Sequence, residues 1–312
     1  MTQLEERLAE RNLRVLKIEV INGAHAGRIY RIETVDKENQ MVNLVYKEFE
    51  TERNNELDFY SKYSKIIKQF NKVVTVWDSA PKAILMDDLK SPLKNDFKIL
   101  SDLEKQNLIK RILDRLAVLH SLSVSENADG LPIHQITSEW HGWCVDQMNR
   151  LGAQNHWTKT EWIKIINNAY EQLDLINFKQ QCPRVITHGD PHLENIFLKD
   201  GQIWFIDWEW AALGSPLRDI TILCQDLYDT RLIQFVKESY QDVLNNHNLN
   251  IPSEDYQRDF NYFYIDHTTM MLAWEIEKYF QQYTSEEEVK EIIEFKIGEI
   301  QRVTNEELGL FR

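Results

Sequence analysis

The chain has 312 residues, 43% of them hydrophobic and 28% charged, with ten Gly and seven Pro, a composition that excludes fibrous and low-complexity classes and fits a globular protein of two lobes or two small domains. A formal charge of -14 disfavours a nucleic-acid or anionic-membrane surface, because phosphates are bound by cationic side chains. An acidic face would instead suit a cationic substrate, although surplus acids more often keep a surface solvated.

The first predicted element, Met1 to Arg14, reads as a charged helix with Leu4, Leu8 and Val15 near one face, not as a signal sequence. Three β-rich runs follow, Val15 to Ile21, Arg28 to Thr34 and Met41 to Phe49, which predict an antiparallel meander. Glu52 to Lys68 predicts a helix, and Val73 to Trp77 and Ala83 to Met86 two more strands. Beyond Pro92 the pattern turns helical: Asp102 to Ser121 carries Leu108, Ile112, Leu116 and Leu119 near a 3.6-residue period behind a Ser101 N-cap. Trp140 to Phe178 reads as helix broken near Leu151 to His156, with Trp140, Trp143, Trp157 and Trp162 expected in the core. A strand, Arg184 to Thr187, then leads through a loop into two short strands, Ile196 to Leu198 and Ile203 to Ile206, joined by the hairpin turn Asp200-Gly201. From Leu217 onward the chain is helical again, with a break near Pro252.

No apolar run approaches the roughly 20 residues that span a bilayer, so neither membrane insertion nor secretion is expected. Cys144, Cys182 and Cys224 are widely spaced and form no CxxC pair, which indicates neither a disulfide framework nor a zinc site and fits a reducing cytoplasm.

Chemistry concentrates in His188-Gly189-Asp190-Pro191-His192-Leu193-Glu194-Asn195, which sets a carboxylate and an amide five residues apart on a loop after a buried strand. Asp207 stands twelve residues beyond Asn195, at the end of the next hairpin. Phosphoryl transfer needs a carboxylate to accept the proton of the attacking hydroxyl and oxygen ligands to hold magnesium against the phosphates. Asp190 fits as the base, and Asn195 and Asp207 as the metal ligands. Any one of them alone would read as an ordinary turn or cap residue; two strand-flanked elements in this order favour the chemical reading.

These residues, with Ile206-Asp207-Trp208-Glu209 and Gly214-Ser215-Pro216-Leu217-Arg218-Asp219-Ile220, resemble the aminoglycoside phosphotransferase and choline kinase superfamily. The resemblance runs from about Val15 to Ile220. It implies an α+β, protein-kinase-like two-lobed fold: an N-terminal nucleotide-binding lobe of antiparallel sheet over 1–88, and a mainly helical catalytic and substrate-binding lobe over 89–312. It implies an O-phosphotransferase using ATP, with GTP as the alternative, and Mg2+. The base at Asp190 and the metal ligands Asn195 and Asp207 carry over. Trp208, where protein kinases have Phe, points to the small-molecule branch.

The resemblance further implies a phosphate-neutralising lysine, which Lys47 fits, and a helix-borne carboxylate to hold it, for which Glu56 is chosen over Glu52 one turn earlier. Gly23 and Gly27 bracket a loop that would cover the phosphates. Met86 and Asp87 fall in a run resembling the inter-lobe linker that meets adenine, and equally in any buried strand ending in acids. His188 reads as a loop-orienting residue and His192 has no assigned role. Glu209 and Asp219 are either loop buttresses or plain structural carboxylates. The acceptor is a small hydroxylated molecule, open among aminoglycosides, macrolides, amino alcohols, sugars and homoserine. Asp226, Asp229, Asp266, Glu275 and Glu277 could face a cationic one, and Trp274 could stack on it. Two other readings stay open: a kinase-fold binding protein without catalysis, and a protein kinase, which would carry Arg-Asp and Phe-Gly in place of Gly189 and Trp208-Glu209.

Overall fold

The computed structural model describes residues 3–21, 28–49, 55–124 and 128–310. The chain forms two compact units, Met1–Lys98 with Leu193–Ala211, and Ile99–His192 with Ala212–Arg312.

In the first unit α1 (Gln3–Glu10) precedes β1 (Arg14–Ile21), β2 (Ile29–Val35) and β3 (Met41–Glu48). Then come α2 (Asn55–Lys62), α3 (Ser64–Ile67), β4 (Val73–Trp77), β5 (Ala83–Asp87) and α4 (Leu93–Phe97). The sheet is antiparallel with order β1-β2-β3-β5-β4, so the meander holds for three strands and β5 then inserts beside β3. Where one helix was expected over Glu52 to Lys68 there are two, because Tyr63 leaves helical geometry at φ -108° and ψ 23°. Strand alternation decides what each sheet face carries. Ile32, Leu44, Tyr46 and Leu85 pack on Leu4 and Leu8 of α1, each large aliphatic chain so buried contributing about 1.5–3 kcal/mol. The other face is thereby left to Lys47, with Ile29 and Ile84 directly opposite it on the two neighbouring strands.

The second unit starts with α5 (Asp102–His120), opened by a reciprocal capping box between Ser101 and Glu104. It continues through α6 (Ser138–Gln154), α7 (Thr160–Gln172) and β6 (Val185–Thr187). The chain then returns to the first unit for the hairpin of β7 (Ile196–Lys199) and β8 (Gln202–Phe205), whose turn residues Asp200 and Gly201 both take left-handed φ, 53° and 73°. The hairpin belongs there because Phe205 N–H donates to Phe70 O at 2.8 Å and Lys94 N–H to Leu193 O at 3.1 Å. Those bonds tie the hairpin to the first unit across a long stretch of chain. Back in the second unit, β9 (Ala212–Gly214) pairs with β6, followed by α8 (Pro216–Leu223), α9 (Thr230–Asn246), α10 (Ser253–Phe280) and α11 (Glu286–Glu307). Pro252 is the residue before α10, as the expected break required.

Of the four tryptophans expected in the core, only Trp162 is buried; Trp140, Trp143 and Trp157 are partly exposed. The three cysteines are buried and free, and among the described residues no helix is long and apolar enough to cross a membrane.

Asp266 of α10 is fully buried, takes a 2.7 Å hydrogen bond from the Tyr170 hydroxyl on Oδ1, and has no partner for Oδ2 among the described residues. It therefore does not face solvent. Burial pushes its carboxyl up to about 7, against the pull of the Tyr170 hydrogen bond. Because the folded pKa is raised, the protonated group stabilises the fold at low pH and that contribution is lost as pH rises from about 4 to 7. Asp266→Asn should therefore gain stability relative to the parent between pH 5 and pH 8, by up to about 4 kcal/mol, read from urea unfolding at each pH. A pH-independent difference would contradict the buried-carboxyl account.

Candidate active site

Two clusters of charged residues emerge, one in each unit. In the first, the Lys47 ammonium on β3 lies 2.5 Å from Glu56 Oε2 and 3.4 Å from Asp207 Oδ1. Glu56 is 3% exposed and the Lys47 side chain 15%. Burial alone would lower the lysine pKa, but the Glu56 and Asp207 carboxylates outweigh it and hold Lys47 firmly protonated. Burial pushes Glu56 up to about 7 while Lys47 pulls it down; with the ammonium at 2.5 Å, the ion pair is the state that geometry favours.

Aromatic packing sets this triangle. Trp208, fully buried, stacks on Phe59 of α2 with centroids 5.2 Å apart and planes 11° from parallel, and also touches Phe70. The ring beside Asp207 is thus packed on the helix that carries Glu56. Asp207 itself sits at φ 63°, a left-handed conformation that a non-glycine residue adopts only when its surroundings impose it. Asn195 enters the same constellation through the backbone: its carbonyl accepts from Ile206 N–H at 3.0 Å, so Asn195 and Asp207 lie at the same, open end of the β7–β8 hairpin. The Asn195 side chain is buried and that of Asp207 38% exposed.

Met86 stands opposite Val45 and shares the Lys47 face with Val45, Ile84 and Ile29, an apolar floor next to the ammonium. Asp87, one residue on, is paired with Leu44 on the opposite face, so only its backbone is available on the Lys47 side. Gly23, Gly27 and Glu52 lie outside the described residues.

The second cluster is the loop after β6. Asp219, fully buried on α8, accepts from His188 N–H at 2.7 Å on Oδ2 and from Gly189 N–H at 2.8 Å on Oδ1. His120 Nε2 lies 2.9 Å from Oδ2, and its Nδ1 meets the Tyr240 hydroxyl. Burial would raise the Asp219 carboxyl, but the His120 hydrogen bond and the charges of His120, His188 and Arg218 hold it below the usual range. The loop is therefore clamped by a fixed anion. Gly189 takes φ 89°, where a side chain would be strained, and Asp190 N–H then donates to His188 Nδ1 at 3.2 Å. The Asp190 carboxylate, side chain 30% exposed, has His192 Nε2 at 3.5 Å. Buried Arg218 bonds Thr187 and carries its charge beneath the loop; burial lowers its pKa to about 10, with Asp219 and Asp190 opposing.

Of the sequence-predicted residues, the first unit thus gathers Lys47, Glu56, Asn195 and Asp207, and the second holds Asp190. Asp219 acquires the buttress role left open for it. His120 and Tyr240 escaped sequence reasoning. His120 falls on the buried stripe of α5 with Ile109, Leu113 and Leu116, and a histidine on such a stripe was the available signal. Among the acids considered for a cationic ligand, Glu277 bonds Gln147 and Arg150, Glu275 bonds Lys278, and Asp229 caps α9.

A small antiparallel sheet bearing a lysine–glutamate pair, followed by a mainly helical unit with an Asp-containing loop, defines a protein-kinase-like phosphotransferase fold. The chain belongs to the phosphotransferase enzyme family APH, whose model matches residues 83–248, more than half of its length. It is similar over 54 residues, 35% identical, to Protein LicA of Haemophilus influenzae, a match that spans 17% of this chain and 20% of that relative. Its fold is similar to that of choline kinase LicA from Streptococcus pneumoniae, with TM-score 0.59, 13% identity, and 96% and 98% of the two chains covered. It is also similar to a spectinomycin phosphotransferase in complex with ADP and spectinomycin, with TM-score 0.61, 15% identity, and 97% and 98% covered. Family membership makes the chain a phosphotransferase.

Asp219→Asn should test the clamp. An amide offers one acceptor where two loop N–H groups need one each, so a buried N–H is orphaned at a cost of about 1–3 kcal/mol. Thermal melting should register that loss, and kcat should fall about a hundredfold, as loop misplacement implies, with nucleotide KM little changed. Wild-type kcat in the variant would show that the loop does not need the clamp.

Proposed function

We propose that this enzyme moves the γ-phosphoryl group of ATP to a hydroxyl of a small, cationic acceptor in a magnesium-dependent reaction, with GTP as the alternative nucleotide. The observation that carries this reading is the Lys47–Glu56–Asp207 triangle, with Asn195 at the same end of the hairpin. Magnesium is commonly held by one or two protein oxygens together with phosphate oxygens and water. Asn195 and Asp207 suit that demand, and among the described residues no cluster of three or more His, Cys, Asp or Glu offers an all-protein cage. Held by these two residues, the ion would neutralise charge on the phosphates.

The roles of the chain's own residues follow from their chemistry. Lys47, kept protonated by Glu56, pairs with phosphate oxygens, and the apolar floor of Ile29, Val45, Ile84 and Met86 receives the base, with backbone groups near Asp87 for its polar edge. The segment of Gly23 and Gly27 is assigned to the phosphates by its position in sequence. Asp190 accepts the proton of the acceptor hydroxyl as that oxygen bonds to phosphorus and the bridging oxygen departs with ADP. His192 steadies the carboxylate. In this reading the first unit binds nucleotide and the second supplies the base and the acceptor site. ATP supply and the three reduced, buried thiols suit a cytoplasmic location.

A cationic acceptor is favoured by an acidic, aromatic group in the second unit. Trp143 and Trp274 have ring centroids 6.4 Å apart, with Trp140 6.0 Å from Trp143, and all three are partly exposed. In this structure the chain's own Lys278 ammonium lies 3.0 Å from Glu275 Oε1 and 6.0 Å from the Trp274 ring centroid, so a carboxylate and an aromatic ring here already hold one cation. Aromatic faces and carboxylates together recognise ammonium groups. Choline kinase activity in a structural relative is consistent with an amino-alcohol acceptor.

ADP release should therefore require Mg2+ and rise on addition of one amino alcohol or amino sugar from a panel. Asp190→Asn should lower that turnover by about 10²–10⁴-fold while calorimetric ATP affinity stays within about threefold. Undiminished turnover in the variant would remove Asp190 from the role of base.

A further inference from the structure

Strand β1 forms one border of the first unit's sheet: it pairs with β2, and among the described residues no strand pairs with its outer edge. Such an edge presents a row of backbone donors and acceptors to any further strand, and natural proteins usually blunt it. This edge carries Leu16, Ile18 and Val20, exposed by 47%, 39% and 67%, on a strand of eight residues. Ile18 stands opposite Ile32, so Ile18 and Val20 lie on the same sheet face as the α1 cluster but beyond its cover.

The charges on β1 discriminate between ways of pairing it with itself. In the antiparallel register that puts Ile18 opposite Ile18, Lys17 of one copy faces Glu19 of the other, twice by symmetry. A shift by two residues in either direction sets Glu19 against Glu19 or Lys17 against Lys17. Like charges directly opposite are destabilising and opposite charges stabilising, so one register is selected. Such self-complementarity is what a twofold interface requires. The irregularity between Val15 and Lys17 lies outside the Lys17–Glu19 centre of that pairing. Within one chain Lys17 Nζ is 3.5 Å from Glu19 Oε2 with both side chains more than half exposed, so both groups can turn to a partner.

From this charge pattern we infer that the protein forms a homodimer through antiparallel pairing of two β1 strands about Ile18, which joins the two five-stranded sheets into one of ten. The occupant of the edge is a second copy of this chain, and the interface lies on a strand that carries none of the residues assigned to nucleotide or acceptor chemistry. The inference is independent of the proposed reaction.

Sedimentation velocity on the full chain over a concentration series reads it directly. The parent should approach twice its 37.2 kDa mass. Glu19→Lys, which opposes lysine to lysine at two places, should raise the dimer dissociation constant at least about tenfold. Adding Lys17→Glu to that variant restores opposite charges across the axis and should restore the dimer. Ile18→Lys should leave a monomer, and circular dichroism with ADP-release activity in each variant shows whether the fold survives. A parent that stays monomeric at high concentration would overturn the proposal. So would a dimer indifferent to Glu19→Lys, or a folded charge-swapped double variant that remains monomeric.

Discussion

The buried ion pair between Lys47 and Glu56 is the constraint on which the charged cluster of the first unit depends. Two charges removed from water are tolerated only when each satisfies the other, and breaking such a pair leaves a buried charge at a cost of about 3–5 kcal/mol. Here the pair is also spatially directed. Lys47 lies on the sheet face that α1 leaves uncovered, and Glu56 on a helix packed through Phe59 onto Trp208, so the same contacts that hold the pair deliver Asp207 to within 3.4 Å of the ammonium. Fold and charge arrangement are consequences of one packing solution.

The second unit uses the same device with the sign reversed. Asp219 is a buried anion whose oxygens are taken by two loop N–H groups and a histidine, and this fixes the loop before any substrate arrives. Because its hydrogen bonds and charged neighbours hold its pKa below the usual range, this buried carboxylate stabilises the fold at neutral pH and at the same time gives Asp190 a defined position. Asp266 has a buried environment of similar depth but only one hydrogen-bond donor, and burial drives it towards the protonated form. Hydrogen-bond supply, more than depth, separates the charged buttress from the core carboxyl whose pKa is raised.

The legibility of these features in the sequence follows their locality. Strand alternation, the Ser101 cap, the Asp200-Gly201 turn and the loop from His188 to Asn195 are written in neighbouring residues, and the structure carries each of them. The insertion of β5 between β3 and β4 and the return of the hairpin to the first unit rest on contacts across long stretches of chain, which no local pattern encodes. Tyr63 divides a helix whose apolar spacing looked continuous. Tryptophan composition pointed to burial, yet Trp140, Trp143 and Trp157 keep an edge in solvent because large amphipathic rings are rarely enclosed completely. His120 was hidden because its partners, Asp219 and Tyr240, lie about a hundred residues further along.

We propose Lys47, Glu56, Asn195 and Asp207 as the site of a magnesium-bound nucleotide. Calorimetric titration of ATP into the parent and into Asp207→Asn, each with and without Mg2+, tests it most directly. Mg2+ should tighten ATP binding to the parent by at least about tenfold, and this gain should disappear in Asp207→Asn while the variant's melting cooperativity is retained. Equal enhancement by Mg2+ in both proteins, or none in the folded parent, would contradict it.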